Sequence, residues 1–175
     1  MILVLINNGG PIDISWAKGN IPAILEAWYP GQFGGDAVLN TLTGKNNPAG
    51  KLPYTIYPAD FVERSYFDMD MRSVDGVTYM WYRKEAVYKF GHGLSYSTFT
   101  YEWEDSEEEE QKVSLSELWM EYEDYTRSDR VLTEVETHPY SVKVTNIGSV
   151  AGDAVVLGFV TGGDGKAQPL SLIHI

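Results

Sequence analysis

Ile2-Leu3-Val4-Leu5-Ile6 is an unbroken aliphatic run, stopped by Asn7-Asn8-Gly9-Gly10-Pro11. A strand with one wet face alternates apolar and polar residues, so a run without alternation fits a strand buried on both faces of a parallel sheet. Working outward, Asp13 to Lys18 reads as a short helix with Asp13 as its cap and Gly19-Asn20 as its stop. Ala23-Ile24-Leu25-Glu26-Ala27-Trp28-Tyr29 reads as a second strand, closed by Pro30-Gly31. Gly34-Gly35-Asp36 opens a helix that runs to Leu42, with Ala37, Val38 and Leu42 on one side and Gly44 closing it. Strand, helix, strand, helix is the repeating unit of an α/β layered sheet. A strand apolar on both faces needs covering helices and neighbouring strands, so the expectation is a chain that begins inside a larger domain.

Further along, Tyr54-Thr55-Ile56-Tyr57 reads as a short strand ended by Pro58, residues 59 to 77 as a long packed loop, and Tyr79-Met80-Trp81-Tyr82 as an aromatic strand. It leads into Val87-Tyr88-Lys89-Phe90-Gly91-His92-Gly93-Leu94-Ser95-Tyr96-Ser97-Thr98-Phe99, where two glycines permit a sharp turn that presents His92 between aromatic anchors. A packed histidine on a tight connector and a histidine that touches substrate are both open here.

From Phe99 the pattern turns to β. Residues 99–103 and 140–145 alternate with period two, residues 146–153 supply a turn, and residues 154–160 read as the returning strand of a hairpin. Between these lies an acidic insertion, residues 104–136. Glu107 to Glu110 is a self-repelling run. Leu115, Leu118, Trp119, Tyr122 and Tyr125 recur at helical spacing, which leaves a partner-binding helix over 114–125 as the alternative to a plain surface insertion. No calcium-loop spacing of oxygen ligands is present. The fold class is therefore α/β followed by all-β: residues 1–98 as a partial α/β sandwich with an incomplete parallel sheet and its linker, and residues 99–175 as an incomplete β-sandwich.

The net charge is −12, and residues 102–136 carry fourteen acids against three bases (Lys112, Arg127 and Arg130), nearly all of it. With no basic patch, nucleic acid is not an expected partner. No run approaches the length of a membrane helix, and Met1 to Ile6 is too short for a signal-peptide core. The absence of cysteine removes disulfide and thiolate chemistry without fixing a compartment. The 12 Tyr, 5 Trp and 6 Phe exceed what packing alone requires and suit stacking on sugars.

Four segments together resemble the C-terminal part of glycoside hydrolase family 3, the β-glucosidase and β-xylosidase group. They are Val4 to Asn7 with Gly10 to Ala17; Ile21 to Gln32; Asn47-Pro48-Ala49-Gly50-Lys51-Leu52-Pro53; and Pro58-Ala59-Asp60-Phe61 with Tyr88 to Tyr96. Residues 140–160 resemble the fibronectin type III-like module that follows in that family. The resemblance implies an enzyme of three parts: a barrel with an aspartate nucleophile, an α/β sandwich with a glutamate acid/base, and the β-module. Retaining hydrolysis needs two carboxyl groups ~5–5.5 Å apart. Both are implied to lie upstream, so no catalytic residue is assigned within this chain. The implied substrate is an oligosaccharide or glycoside with a terminal β-glucosyl or β-xylosyl residue, the implied partner is the upstream barrel of the same protein, and the implied location is extracellular or vacuolar. No cofactor or metal is implied.

The chain's own carboxylates have structural readings: Asp13 as a cap, Asp36 at a helix start, Asp153 in a turn, and Asp60, Asp68 and Asp70 in a loop. Glu26, within a buried-looking strand, is the one to watch. Trp16, Trp28 and His92 are the candidate substrate-binding residues. Where the family reads Gly-Gln-Glu-Gly-Gly this chain has Gly31-Gln32-Phe33-Gly34-Gly35, which puts the role of that carboxylate in doubt. The end, residues 168–175, stops where the β-module should continue and is expected to be the tail of a truncated product. The rival expectation is a non-catalytic carbohydrate-binding or structural module.

Overall fold

In a computed structural model of the chain, which describes residues 2–5, 9–104, 141–160 and 171–172, the aliphatic run forms strand β1 (Ile2–Leu5). It pairs in parallel with β2 (Ala23–Glu26), Ile2 opposite Ala23 and Leu5 opposite Glu26. Parallel pairing requires a crossover between the strands, and helix α1 (Ser15–Asn20) lies on it. Full burial is not reached at Ile2, which is 52% exposed, or along β2, where Ala23 is exposed and Ile24 to Glu26 are half-buried. The sheet has two strands among the described residues.

Helix α1 begins two residues later than Asp13 and passes through Gly19 to end at Asn20. Asp13 does not cap it. Its carboxylate instead accepts from the Ser15 amide at 2.8 Å and from the Ser15 hydroxyl, an Asx turn that precedes the helix. The other oxygen accepts from the Ala59 amide at 3.1 Å and ties this turn to a distant loop. Those bonds, the Ser15 hydroxyl first, hold the Asp13 carboxyl below its ordinary range. The far end falls at the expected Gly19-Asn20 stop, where the Asn20 side-chain amide donates to the Trp16 carbonyl at 2.7 Å.

Helix α2 (Gly34–Leu42) has the expected span, with Asp36 in its first turn. Its buried face differs from the expected one. Gly34 and Thr41 are buried, whereas Ala37 and Leu42 are exposed. A side chain at position 34 would run into the Pro30 ring, so only glycine lets the helix start so close to the preceding turn. Phe33, at the position where the family pattern has a carboxylate, is 72% exposed beside the helix start.

The core is small: Ile14, just before α1, and Ala17 within it meet Ile56 and Val87, with Ile21, Ile24, Leu52, Tyr54 and Tyr88 packed around them. No large side chain among the described residues is fully buried. The strand expected over 54–57 shrinks to one antiparallel bridge between Ile56 and Tyr88. The loop over 59–77 contains a 3-10 turn at Ala59–Glu63.

The aromatic strand expected at 79–82 is instead a single helical turn, α3 (Thr78–Trp81). Strand propensity loses here to packing. The turn delivers Tyr79 to Phe90, centroids 4.6 Å apart, and Tyr82 edge-on to Tyr57 at 4.8 Å, which alternation to opposite faces would prevent.

The expected hairpin between 140–145 and 154–160 does not form. Strand β3 (Phe99–Trp103) pairs with β4 (Val142–Asn146), and β5 (Phe159–Val160) pairs antiparallel with β6 (Ser171–Leu172), leaving 154–158 outside any strand. Alternation marks which face of a strand is covered and carries no information about its partner. The turn after Asn146 is present: Asn146 accepts from the Gly148 amide at 2.9 Å and donates to the Val150 carbonyl at 2.8 Å. By contacts the chain divides into two compact units, residues 1–98 with 146–175, and residues 99–145. The acidic run, the helix expected over 114–125 and most of the tail lie outside the described residues.

Candidate functional site

The Gly91-His92-Gly93 turn is fixed by its neighbour in space, residues 50–52. The Leu52 amide donates to the His92 carbonyl at 2.9 Å and the Gly91 amide to the Leu52 carbonyl at 2.8 Å. Gly91 sits at φ +77°, the left-handed region that favours glycine. A side chain on Gly93 would overlap the Gly50 carbonyl oxygen. The Lys51 ammonium donates to the Gly93 carbonyl, and that of Lys18 donates to Val87 O at 2.7 Å while standing 5.1 Å over the Tyr88 ring.

His92 is exposed as a residue, but its ring lies against Tyr88, centroids 4.7 Å apart. Partial burial of the imidazole, then the charges of Lys51 and Lys18, hold its pKa below the ordinary histidine value. A histidine so placed favours the neutral form, able to accept a hydrogen bond on one nitrogen and donate from the other.

Facing this turn is the end of β2. Trp28 stands at φ +51° and presents an edge-on contact to Tyr54 at 5.0 Å. The Glu26 carboxylate accepts from the Trp28 amide at 3.2 Å. Burial, and then the nearby Glu26 charge, push the Tyr54 hydroxyl up to about 12. Glu26 and Trp28 from this side and His92 from the turn line a groove of about 720 Å³, where Lys18, Lys51 and Tyr96 are among the further polar and aromatic groups and Ile14, Ile24, Leu52 and Ile56 among the aliphatic ones. Volume and lining fit a small hydroxylated ligand.

Of the three candidate binding residues, Trp28 and His92 share this groove. Trp16 does not line it and stands 69% exposed on α1. Sequence reading missed Lys18, Lys51 and Tyr96. Lys51 and Tyr96 fall within segments that carry the resemblance and Lys18 does not, but a shared place with His92 and Trp28 in the groove exists for all three only after folding.

Among the described residues, Glu26 is the one carboxylate lining the groove. A second hollow of about 310 Å³ is richer in acids, with Asp60, Glu63 and Asp75 in its wall. There the Lys84 ammonium bonds Asp75 at 2.8 Å and reaches Asp60 at 3.7 Å, and Asp75 foremost raises the lysine pKa. An ammonium wedged between two carboxylates is a charge clasp, not an acid/base pair, which needs one carboxyl protonated. Among the described residues no three His, Asp or Glu side chains gather as metal ligands, and no helix is long and apolar enough to cross a membrane.

A family model described as the glycosyl hydrolase family 3 C-terminal domain matches residues 1–96. A probable beta-D-xylosidase 7 of Arabidopsis thaliana is 37% identical over 99% of this chain and 24% of its own length. Exo-1,4-beta-xylosidase xlnD of Aspergillus niger is 34% identical over 96% of this chain and 21% of its own. The chain thus spans about a quarter of the length of the curated relatives it matches. A solved structure of a family 3 exo-beta-xylosidase (XlnD), in complex with a xylobiose aziridine activity-based probe, aligns at a TM-score of 0.54 with 42% identity, covering 57% of this chain and 14% of that one.

Proposed function

The chain belongs to glycosyl hydrolase family 3, and we propose that it is the C-terminal part of a retaining, exo-acting β-glycosidase that removes terminal β-xylosyl or β-glucosyl residues from oligosaccharides. The observation that carries this reading is similarity to β-xylosidases along nearly the whole chain, 37% over 99% of it, which favours xylosyl over glucosyl. The aspartate nucleophile and glutamate acid/base belong to the upstream part of the protein. In line with that, the groove holds a single carboxylate among the described residues, where double displacement needs two at ~5–5.5 Å.

In this reading residues 1–98 are part of an α/β sandwich whose parallel sheet is completed by strands of the remaining polypeptide. Residues 99–175 are part of a fibronectin type III-like module interrupted by the acidic insertion. Trp28 and His92 border the substrate pocket, where a neutral imidazole and an indole edge suit hydroxyl groups and the apolar face of a sugar. No cofactor is required, and the protein works in the secretory or extracellular space.

The test is an assay of the 175-residue chain and of the full-length protein on nitrophenyl β-xyloside and β-glucoside. Turnover by the full-length protein, faster on the xyloside, with none by the chain, is the expected result. Turnover by the chain itself would overturn the placement of the catalytic pair. The exposed Trp16 favours a second reading, a non-catalytic carbohydrate-binding module; xylan binding by the chain that is lost in Trp16→Ala would support it.

A further inference from the structure

Three large apolar side chains close together on one loop stand far out of the surface: Tyr66 is 88% exposed, Phe67 87% and Met69 82%. The loop beneath them is firmly held. The Arg64 guanidinium donates to the carbonyls of Asp68 and Asp70 and pairs with the Asp68 carboxylate at 3.4 Å. Asp68 also accepts from the Ser73 hydroxyl and, at 3.1 Å, from the Asp70 amide. A rigid base carrying large apolar side chains into water is the signature of an interface anchor, since the ordering is done in advance and the apolar area remains to be covered.

We propose that Tyr66, Phe67 and Met69 form a knob that plugs into an apolar, basic-rimmed socket on the part of the same full-length polypeptide lying outside these 175 residues. The proposal rests on the reading that this chain is one portion of a longer family 3 protein. Relatives at 37% and 34% identity carry this span as 24% and 21% of their length, so ample polypeptide exists to supply the socket. The chemistry argues against the other occupants. Tyr66 and Phe67 meet edge to face, at 83° and 5.8 Å, which makes a wedge and not the flat platform that a sugar ring needs. Between residues 60 and 75 five carboxylates face two guanidiniums, so an anionic membrane or a second copy of the same loop would be repelled. A basic rim on the socket matches that charge.

Hydroxyl-radical footprinting reads the knob directly. Oxidation of Tyr66, Phe67 and Met69 is compared between the 175-residue chain and the full-length protein. The expected result is heavy labelling in the chain and a drop of about tenfold in the full-length protein, as for rings passing from solvent into a dry interface core. Equal labelling in both overturns the proposal. So does protection that arises in the isolated chain as its concentration rises, which would identify a second copy as the occupant. Glycoside turnover by the same full-length sample separates the two claims. Protection without turnover on any nitrophenyl glycoside would sink the proposed activity and keep the knob, while turnover with an unprotected loop would sink the knob alone.

Discussion

Asn47 donates through Nδ2 to the carbonyl of Ala151, 3.2 Å away in space and 104 positions on in sequence. Its Oδ1 accepts from the Tyr96 amide and the Ser95 hydroxyl, both at 2.8 Å. One side chain thus joins the loop after α2, the segment after the histidine turn and the return after β4. Replacing it leaves several partners without a bond. Asn47→Ala is expected to lower stability by about 1–3 kcal/mol, the cost of stranding partly buried polar groups. Asn47→Asp keeps the acceptor, loses the donor and should fall between. Urea denaturation of the three proteins checks the order; an Asn47→Ala midpoint equal to the parent's would contradict it.

At Gly93 the limitation is space. A methyl there would overlap the Gly50 carbonyl oxygen and crowd the Lys51 side chain, so Gly93→Ala must push apart the two segments that frame His92. Overpacking of this kind costs about 1–3 kcal/mol. At Gly35, within α2, an added methyl would meet nothing within 4 Å, and φ is not positive. Gly35→Ala should therefore stabilise by about 0.5–1 kcal/mol through helix propensity. Thermal melts of both variants should move in opposite directions.

The His92 ring predicts a pH dependence with a definite sign. Its folded-state pKa lies below the ordinary value of 6.5 because burial, Lys51 and Lys18 disfavour the cation. The unfolded chain therefore binds the proton more readily, so this contribution to stability is intact above about pH 6.5 and is lost as pH falls towards the folded value. Lys51→Met should raise the His92 titration midpoint towards 6.5 in an NMR titration, and His92→Gln should flatten that part of the stability profile. A midpoint unmoved by Lys51→Met would show that its charge does not reach the ring.

The parallel strand-helix-strand order was legible in residues 2–26 because aliphatic runs and their Asn-Gly punctuation act locally. The exact cap was not: Asp13 is a good cap by type, yet its second oxygen is claimed by Ala59, a partner that local sequence cannot name. Tyr79 to Tyr82 carry strand propensity and form a turn, since their rings are needed on Phe90 and Tyr57. The site divides in the same way. Trp28 and His92 stood out by type, whereas Lys18 and Lys51 became relevant only through the fold that sets them beside His92.

The left-handed backbone at Trp28, φ +51°, sets two demands against each other. A bulky residue held there stores on the order of 1–3 kcal/mol of conformational strain, which asparagine or glycine would relieve while deleting the indole that walls the groove. Evolution towards a sturdier protein and evolution towards a better-shaped groove therefore pull position 28 in opposite directions.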